Sequence, residues 1–135
     1  MKSGNPNTIF VAIVDDEDSL RRSMGRLLRA SGLWPVAFES AEEFFADEVH
    51  RNFDCLVLDI QLGGMSGLEL HQKLSSSGCT TPVIFITAHD APEVRIQAEN
   101  AGCAGYFRKT DSGELVLAAI RNAVRNAPAK AKSGV

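Results

Sequence analysis

Residues 9–17 read Ile-Phe-Val-Ala-Ile-Val-Asp-Asp-Glu, and this stretch decides the fold. The six apolar residues are mostly β-branched and carry no polar alternation. That is the pattern of a strand covered on both faces, as in a parallel sheet. The run then stops abruptly in three acids. A buried strand that ends in charge predicts an element whose C-terminal end opens at a polar crevice.

Outward from this strand, two periodicities alternate along the chain. Asp18 or Ser19 is placed to cap a helix with Leu20, Met24, Leu27 and Leu28 at helical spacing, ended by Ser31-Gly32. Leu33 to Phe38 reads as a second strand, and Pro35, which lacks a donor, assigns it to a sheet edge. Ser40 with Glu43 forms a capping box for a short second helix running to about Val49. Phe53 to Asp59 is a third strand, followed by a Gly63-Gly64 loop and a helix over Gly67 to Leu74. Pro82 to Thr87 is a fourth strand. Pro92 opens a fourth helix with Val94, Ala98 and Ala101 on its buried stripe, stopped by Gly102. Ala104 to Phe107 is a short fifth strand, and Asp111 or Ser112 caps a last helix carrying Val116, Ile120, Ala123 and Val124. Strictly alternating strands and helices imply right-handed crossovers. The expected fold is α/β: a five-stranded parallel sheet of order 2-1-3-4-5 with helices on both faces. Residues 1–127 form the expected domain, and 128–135, Pro-Ala-Lys-Ala-Lys-Ser-Gly-Val, read as a tail or linker start.

Composition narrows the class. The chain has 135 residues, 44% hydrophobic and 23% charged, as expected of one ordinary globular domain. A net charge of −3 argues for neither nucleic acid nor an anionic membrane surface. No apolar run is long enough to span a bilayer, and no signal-peptide pattern opens the chain. Cys55, Cys79 and Cys103 are odd in number and widely spaced, which fits reduced thiols in a cytoplasmic protein.

In an open α/β sheet, ligands bind beyond the carboxyl ends of the strands, where the strand order reverses. There the sequence places Asp15 and Asp16 after strand one, Asp59 at the end of strand three, Thr87 at the end of strand four and Lys109 just past strand five. Strands lie about 4.8 Å apart, so the carboxylates converge. Such a cluster needs a shared cation or proton. All-oxygen ligands without His or Cys favour Mg²⁺, with Asp15, Asp16, Asp59 and the Gln61 backbone carbonyl as ligands. An aspartate nucleophile beside a cation and a lysine suits phosphoryl transfer, with Asp59 as acceptor and Thr87 as a donor to a phosphoryl oxygen. Taken singly, these residues have plainer readings. Asp15 and Asp16 are equally cap or metal ligand, Thr87 is a turn residue and Lys109 a solvated charge. The case rests on their co-location.

Val-Asp-Asp-Glu (14–17), Leu-Val-Leu-Asp (56–59) with Gly67 eight residues on, Ile-Thr-Ala (86–88) and Gly-Tyr-Phe-Arg-Lys (105–109) occur in this order. On these motifs the chain resembles the receiver domain of bacterial two-component response regulators, from Ile9 to about Val124. Residues 38–44, Phe-Glu-Ser-Ala-Glu-Glu-Phe, look like the branch that often carries a helix-turn-helix output domain. The resemblance implies a histidine kinase or histidine phosphotransfer protein as donor to Asp59, Mg²⁺ dependence, and catalytic roles for Thr87 and Lys109. It also implies a switch in which Thr87 moves inward and Tyr106 follows. Gln61 and His89 fall at positions that tune hydrolysis of the acyl phosphate. Ile96, off the buried stripe of its helix, is the expected partner contact, for a downstream protein target or a phosphorylation-dependent homodimer.

Two departures from the family stand out. Thr110 follows Lys109 where proline is usual, which predicts a trans peptide, an altered loop and an uncertain reach for Lys109. Gly63 stands where proline is common, so a more mobile loop is expected. The competing readings are the receiver portion of a DNA-binding transcriptional regulator, a small aspartyl-nucleophile phosphatase, and a flavin-binding module. The phosphatase is disfavoured by Gln61, where a second Asp is typical. The flavin module is disfavoured by the acidic mouth and the missing Ser/Thr-rich phosphate loop.

Overall fold

The computed structural model describes residues 7–46 and 52–127. The expected end of the second helix near Val49 and the tail 128–135 lie outside the described residues. In chain order the elements are β1 (Phe10–Val14), α1 (Asp18–Ala30), β2 (Trp34–Phe38), α2 (Ala41–Ala46), β3 (Cys55–Asp59), α3 (Gly67–Ser76), β4 (Val83–Thr87), α4 (Pro92–Asn100), β5 (Gly105–Arg108) and α5 (Gly113–Asn126). The five strands form one sheet of order β2-β1-β3-β4-β5, parallel throughout.

Strand alternation splits the core into two layers. Val11, Ile13, Val57, Ile84 and Ile86 point to one face and meet Met24 and Leu28 of α1 and Val116 and Ile120 of α5. Ala12, Val14, Leu56, Leu58 and Phe85 point to the other and meet Phe44 of α2, Leu70 and Leu74 of α3 and Ala98 of α4. β3 and β4 are buried at every position, so the centre of the sheet is also the centre of the hydrophobic core. β2 is an edge strand, as its proline requires. The Trp34 amide donates to the Ile9 carbonyl, so Trp34 faces β1 and Pro35 turns its donorless nitrogen to the free edge.

Some local expectations need correction. α1 has no side-chain cap from Asp18 or Ser19: Glu17 is its N-cap residue, Asp18 is drawn instead to Arg21 and Arg22, and Asp15 Oδ1 accepts from the Glu17 amide. At α2, Ser40 Oγ caps the Glu43 amide, but the Glu43 carboxylate reaches back to the Glu39 amide instead of to Ser40. Ser112 caps α5 through the Glu114 amide, while Asp111 accepts from the Arg108 amide. Ala101 is exposed rather than buried, because α4 ends at Asn100 and the chain turns out through Gly102 at φ 83°; Cys103 packs against that core layer. β2, β3 and β4 start one or two residues later than the apolar runs, and β5 is shifted by one residue to Gly105–Arg108.

Candidate acidic phosphoacceptor site

The parallel register brings the polar strand ends to one rim. The Asp15 amide donates to the Phe38 carbonyl, the Ile60 amide to the Ile86 carbonyl and the Lys109 amide to the Thr87 carbonyl, so the sheet ladder continues through the residues that carry the charges. Asp15 and Thr87 are fully buried, and Asp59 is 2% exposed. Asp16 is exposed at the mouth. Carboxylate oxygens of Asp15, Asp16 and Asp59 lie within 4.8 Å of one another.

Lys109 binds this cluster. Its Nζ is 3.0 Å from Asp59 Oδ2, 3.0 Å from Asp15 Oδ2 and 3.1 Å from Glu17 Oε1. The reach that Thr110 put in question is therefore intact. No peptide bond among the described residues is cis, as expected for Lys109-Thr110. Glu17, a ligand of the lysine, was not singled out by sequence reasoning. Its only signal there was a place next to two aspartates.

The electrostatics follow from burial. Desolvation first, and then the Asp15 charge, push the Asp59 carboxyl up to about 6. Desolvation also raises Asp15. For Lys109, burial works to lower the pKa, but hydrogen bonds to Asp59, Asp15 and Glu17 together outweigh it and hold the ammonium above the usual lysine range. The Lys109 hydrogen bond lowers the exposed Glu17. One lysine against four carboxylates leaves the rim short of positive charge. Asp15 Oδ2 shows the deficit: it is buried and accepts no aligned hydrogen bond, although Lys109 Nζ stands 3.0 Å away. An all-oxygen donor set with such an atom fits a hard divalent cation.

The loop after β3 is built around the same aspartate. The Gln61 amide donates to Asp59 Oδ1 at 2.9 Å, and Gln61 is exposed. A Cβ on Gly67 would run into the Asp59 carbonyl oxygen, with Ile60 Cα at 3.1 Å. Glycine here is thus required by the close approach of α3 to the end of β3. Glu42, from α2, accepts from the Met65 amide at 2.9 Å and so links α2 to the glycine loop.

Thr87 and Tyr106 are set apart from the acids. The Thr87 hydroxyl accepts from the His89 amide at 3.0 Å and donates to the His89 carbonyl at 3.2 Å, so His89 enters through its backbone while the residue itself is exposed. Tyr106 is half-buried. Its hydroxyl donates to Asp90 Oδ1 at 3.0 Å, and the Arg95 guanidinium lies 4.7 Å above its ring. Partial desolvation, then the Asp90 bond, raise its phenol. Asp90 and Arg95 also escaped sequence reasoning, since neither falls in a motif. Ile96 is 56% exposed on α4, as expected.

With this geometry in place, the chain can be compared with known proteins. The response regulator receiver domain matches residues 11–121. The chain belongs to the response regulator receiver family. This receiver is 36% identical over 123 residues to the transcriptional regulatory protein TdiR of Thauera aromatica, covering 91% of this chain and 53% of that protein. It is 33% identical to the transcriptional regulatory protein FixJ of Azorhizobium caulinodans, covering 86% of this chain and 55% of that protein. The crystal structure of FixJ-N superposes with a TM-score of 0.80 at 29% identity, covering 96% of this chain and 99% of that one. The receiver spans about half the length of the curated relatives it matches. No helix among its described residues is long and apolar enough to cross a membrane.

Proposed function

We propose that this receiver accepts a phosphoryl group on Asp59 from a histidine kinase or histidine phosphotransfer protein in the cytoplasm, and that the modification changes a protein-binding surface on α4 and β5. The observation that carries the reading is the convergence of Asp15, Asp16 and Asp59 on one lysine at the sheet's carboxyl rim. An Asp59 oxygen attacks phosphorus, the bond to the donor's imidazole nitrogen breaks, and an acyl phosphate forms while the imidazole regains a proton. With its pKa at about 6, Asp59 is mostly ionised at pH 7 and available as the nucleophile. Asp15, Asp16, Asp59 and the Gln61 carbonyl would hold Mg²⁺, which supplies positive charge against the phosphoryl oxygens. Lys109 adds an ammonium, the one at the rim among the described residues, and exchanges its Asp59 contact for a phosphoryl oxygen. The Thr87 hydroxyl leaves His89 to donate to another phosphoryl oxygen, and Tyr106 leaves Asp90 and Arg95 to fill the space behind it. Gln61 and His89 stand where they shield or admit a hydrolytic water.

A second reading keeps this chemistry and adds an output. TdiR and FixJ are transcriptional regulatory proteins, and this chain matches about half of each. This favours the receiver portion of a DNA-binding regulator. Intact-mass measurement after incubation with acetyl phosphate tests the site: one phosphoryl group is gained with Mg²⁺, little is gained without it, and none in Asp59→Asn. Undiminished labelling of that variant would move the acceptor elsewhere.

A further inference from the structure

Away from the acidic rim, α1 and the edge strand β2 enclose a groove of about 380 Å³ lined by Arg21, Arg22, Arg26 and Arg29, by Gly25, Pro35 and Ala37, and at one end by Asp18, which is engaged by Arg21 and Arg22. Among the described residues, the ion pairs of these arginines go to Asp18 and Glu39 and involve only Arg21 and Arg22. The guanidinium groups of Arg26 and Arg29 therefore carry surplus positive charge on a chain whose net charge is −3.

Gly25 is the second observation. It sits in the middle of α1, where glycine is the least favourable residue after proline. Backbone geometry does not require it, since it is not among the glycines with positive φ. Packing does not require it either: a Cβ there would meet only the Arg29 guanidinium, at an ordinary 3.7 Å. The glycine, on the buried side of α1, leaves a hollow beneath the arginines.

We propose that this groove binds a short, extended, acidic peptide segment of a partner protein. Arg22, Arg26 and Arg29 lie at i, i+4 and i+7 and span about 10 Å along the helix. Alternate side chains of an extended peptide repeat about every 6.7 Å, within reach of the long side chains of Arg26 and Arg29, so two carboxylates engage these two unpaired guanidinium groups while Arg22 stays with Asp18, and the intervening side chain lies over Gly25. Pro35 gives the free edge no amide at that position, so guanidinium forks rather than strand addition hold the segment. The spread of the arginines along the helix, with no point of convergence, disfavours a single phosphate. The short length of the groove disfavours a nucleic acid strand.

The test uses the full chain and a fluorescein-labelled pentapeptide of alternating glutamate and valine, read by fluorescence anisotropy. Saturable binding is expected, weakened at least tenfold by Arg26→Glu with Arg29→Glu and by Gly25→Leu, which fills the hollow. Gly25→Ala is the milder companion: its melting temperature rises by about 3–5 °C while binding weakens severalfold. Acetyl phosphate labelling of Asp59 stays unchanged in all of them, so this site and the phosphoacceptor stand or fall separately. Failure to saturate, wild-type affinity in both glycine variants, or equal displacement by inorganic phosphate or oligothymidylate at matched charge overturns the proposal.

Discussion

The carboxyl rim of β1 and β3 and the flank formed by α4 and β5 are neighbours held in opposite ways. At the rim, Asp15 and Asp59 stand at the ends of the buried strands β1 and β3, and both carboxylates are held by Lys109 as well as by backbone amides. On the flank, Ala98 is the one buried residue of α4, β5 is no more than half-buried, and Tyr106 is held by Asp90 and Arg95 at the surface. The contrast teaches that the chemistry is anchored in the stiffest part of the molecule and the readout in the softest. A change of charge at the rim cannot relax locally, but it can displace the weakly held flank.

The largest effect should come from breaking the rigid side. Gly67→Ala forces a methyl group into the Asp59 backbone, which cannot rotate away; urea denaturation should show a loss on the order of 3 kcal/mol or more. Lys109→Ala leaves Asp15 and Asp59 facing each other. The expected loss is on the order of 2–3 kcal/mol at pH 7.5, recovered in part by Mg²⁺ or by acidification to about pH 5. If added Mg²⁺ restores nothing, the acids do not form the cation site.

Asp59→Asn runs the other way. The folded pKa of about 6 lies above the ordinary aspartate value of 3.8, so the folded state holds the proton more tightly. That stabilising contribution is complete below about pH 4 and is lost as pH rises through 6. The variant is therefore expected to gain on the order of 2 kcal/mol at pH 7.5 and nothing at pH 4. Acetyl phosphate labelling of the unmodified chain should fall as pH drops below about 6, where the nucleophile takes up its proton.

On the soft side, hydrogen exchange should show α4 amides opening at lower free energy than those of β3 and β4; equal protection would erase the contrast. The smallest effect is expected from Ile96→Ser, within about 0.5 kcal/mol of the parent in stability, while contact with a downstream target weakens.

The legible and illegible parts of this molecule divide along the same line. Residues 9–14 announced a buried strand, Pro35 announced an edge, and acids at consecutive strand ends announced the rim, because burial and backbone chemistry write directly into local composition. Gly67 was visible as a spacing, though its reason, a collision with Asp59, needed coordinates. Glu17, Asp90 and Arg95 were not legible, since each matters through a partner distant in sequence: Lys109 for the first, Tyr106 for the other two. Ala101 misled because helical periodicity carries no mark of where a helix ends. The reach of Lys109, left open by the missing proline, is set by the Thr87 carbonyl, which fixes its backbone.

Pro35 has one more consequence. An open parallel sheet offers a neighbour somewhere to continue it, and proteins that let this happen grow into fibres. With the nitrogen of Pro35 turned outward, β2 is a poor template for such growth, which leaves β5 as the sheet's other edge. A single imino acid thus closes one side of the sheet to a neighbouring strand, a safeguard written in the backbone and independent of the chemistry at the rim.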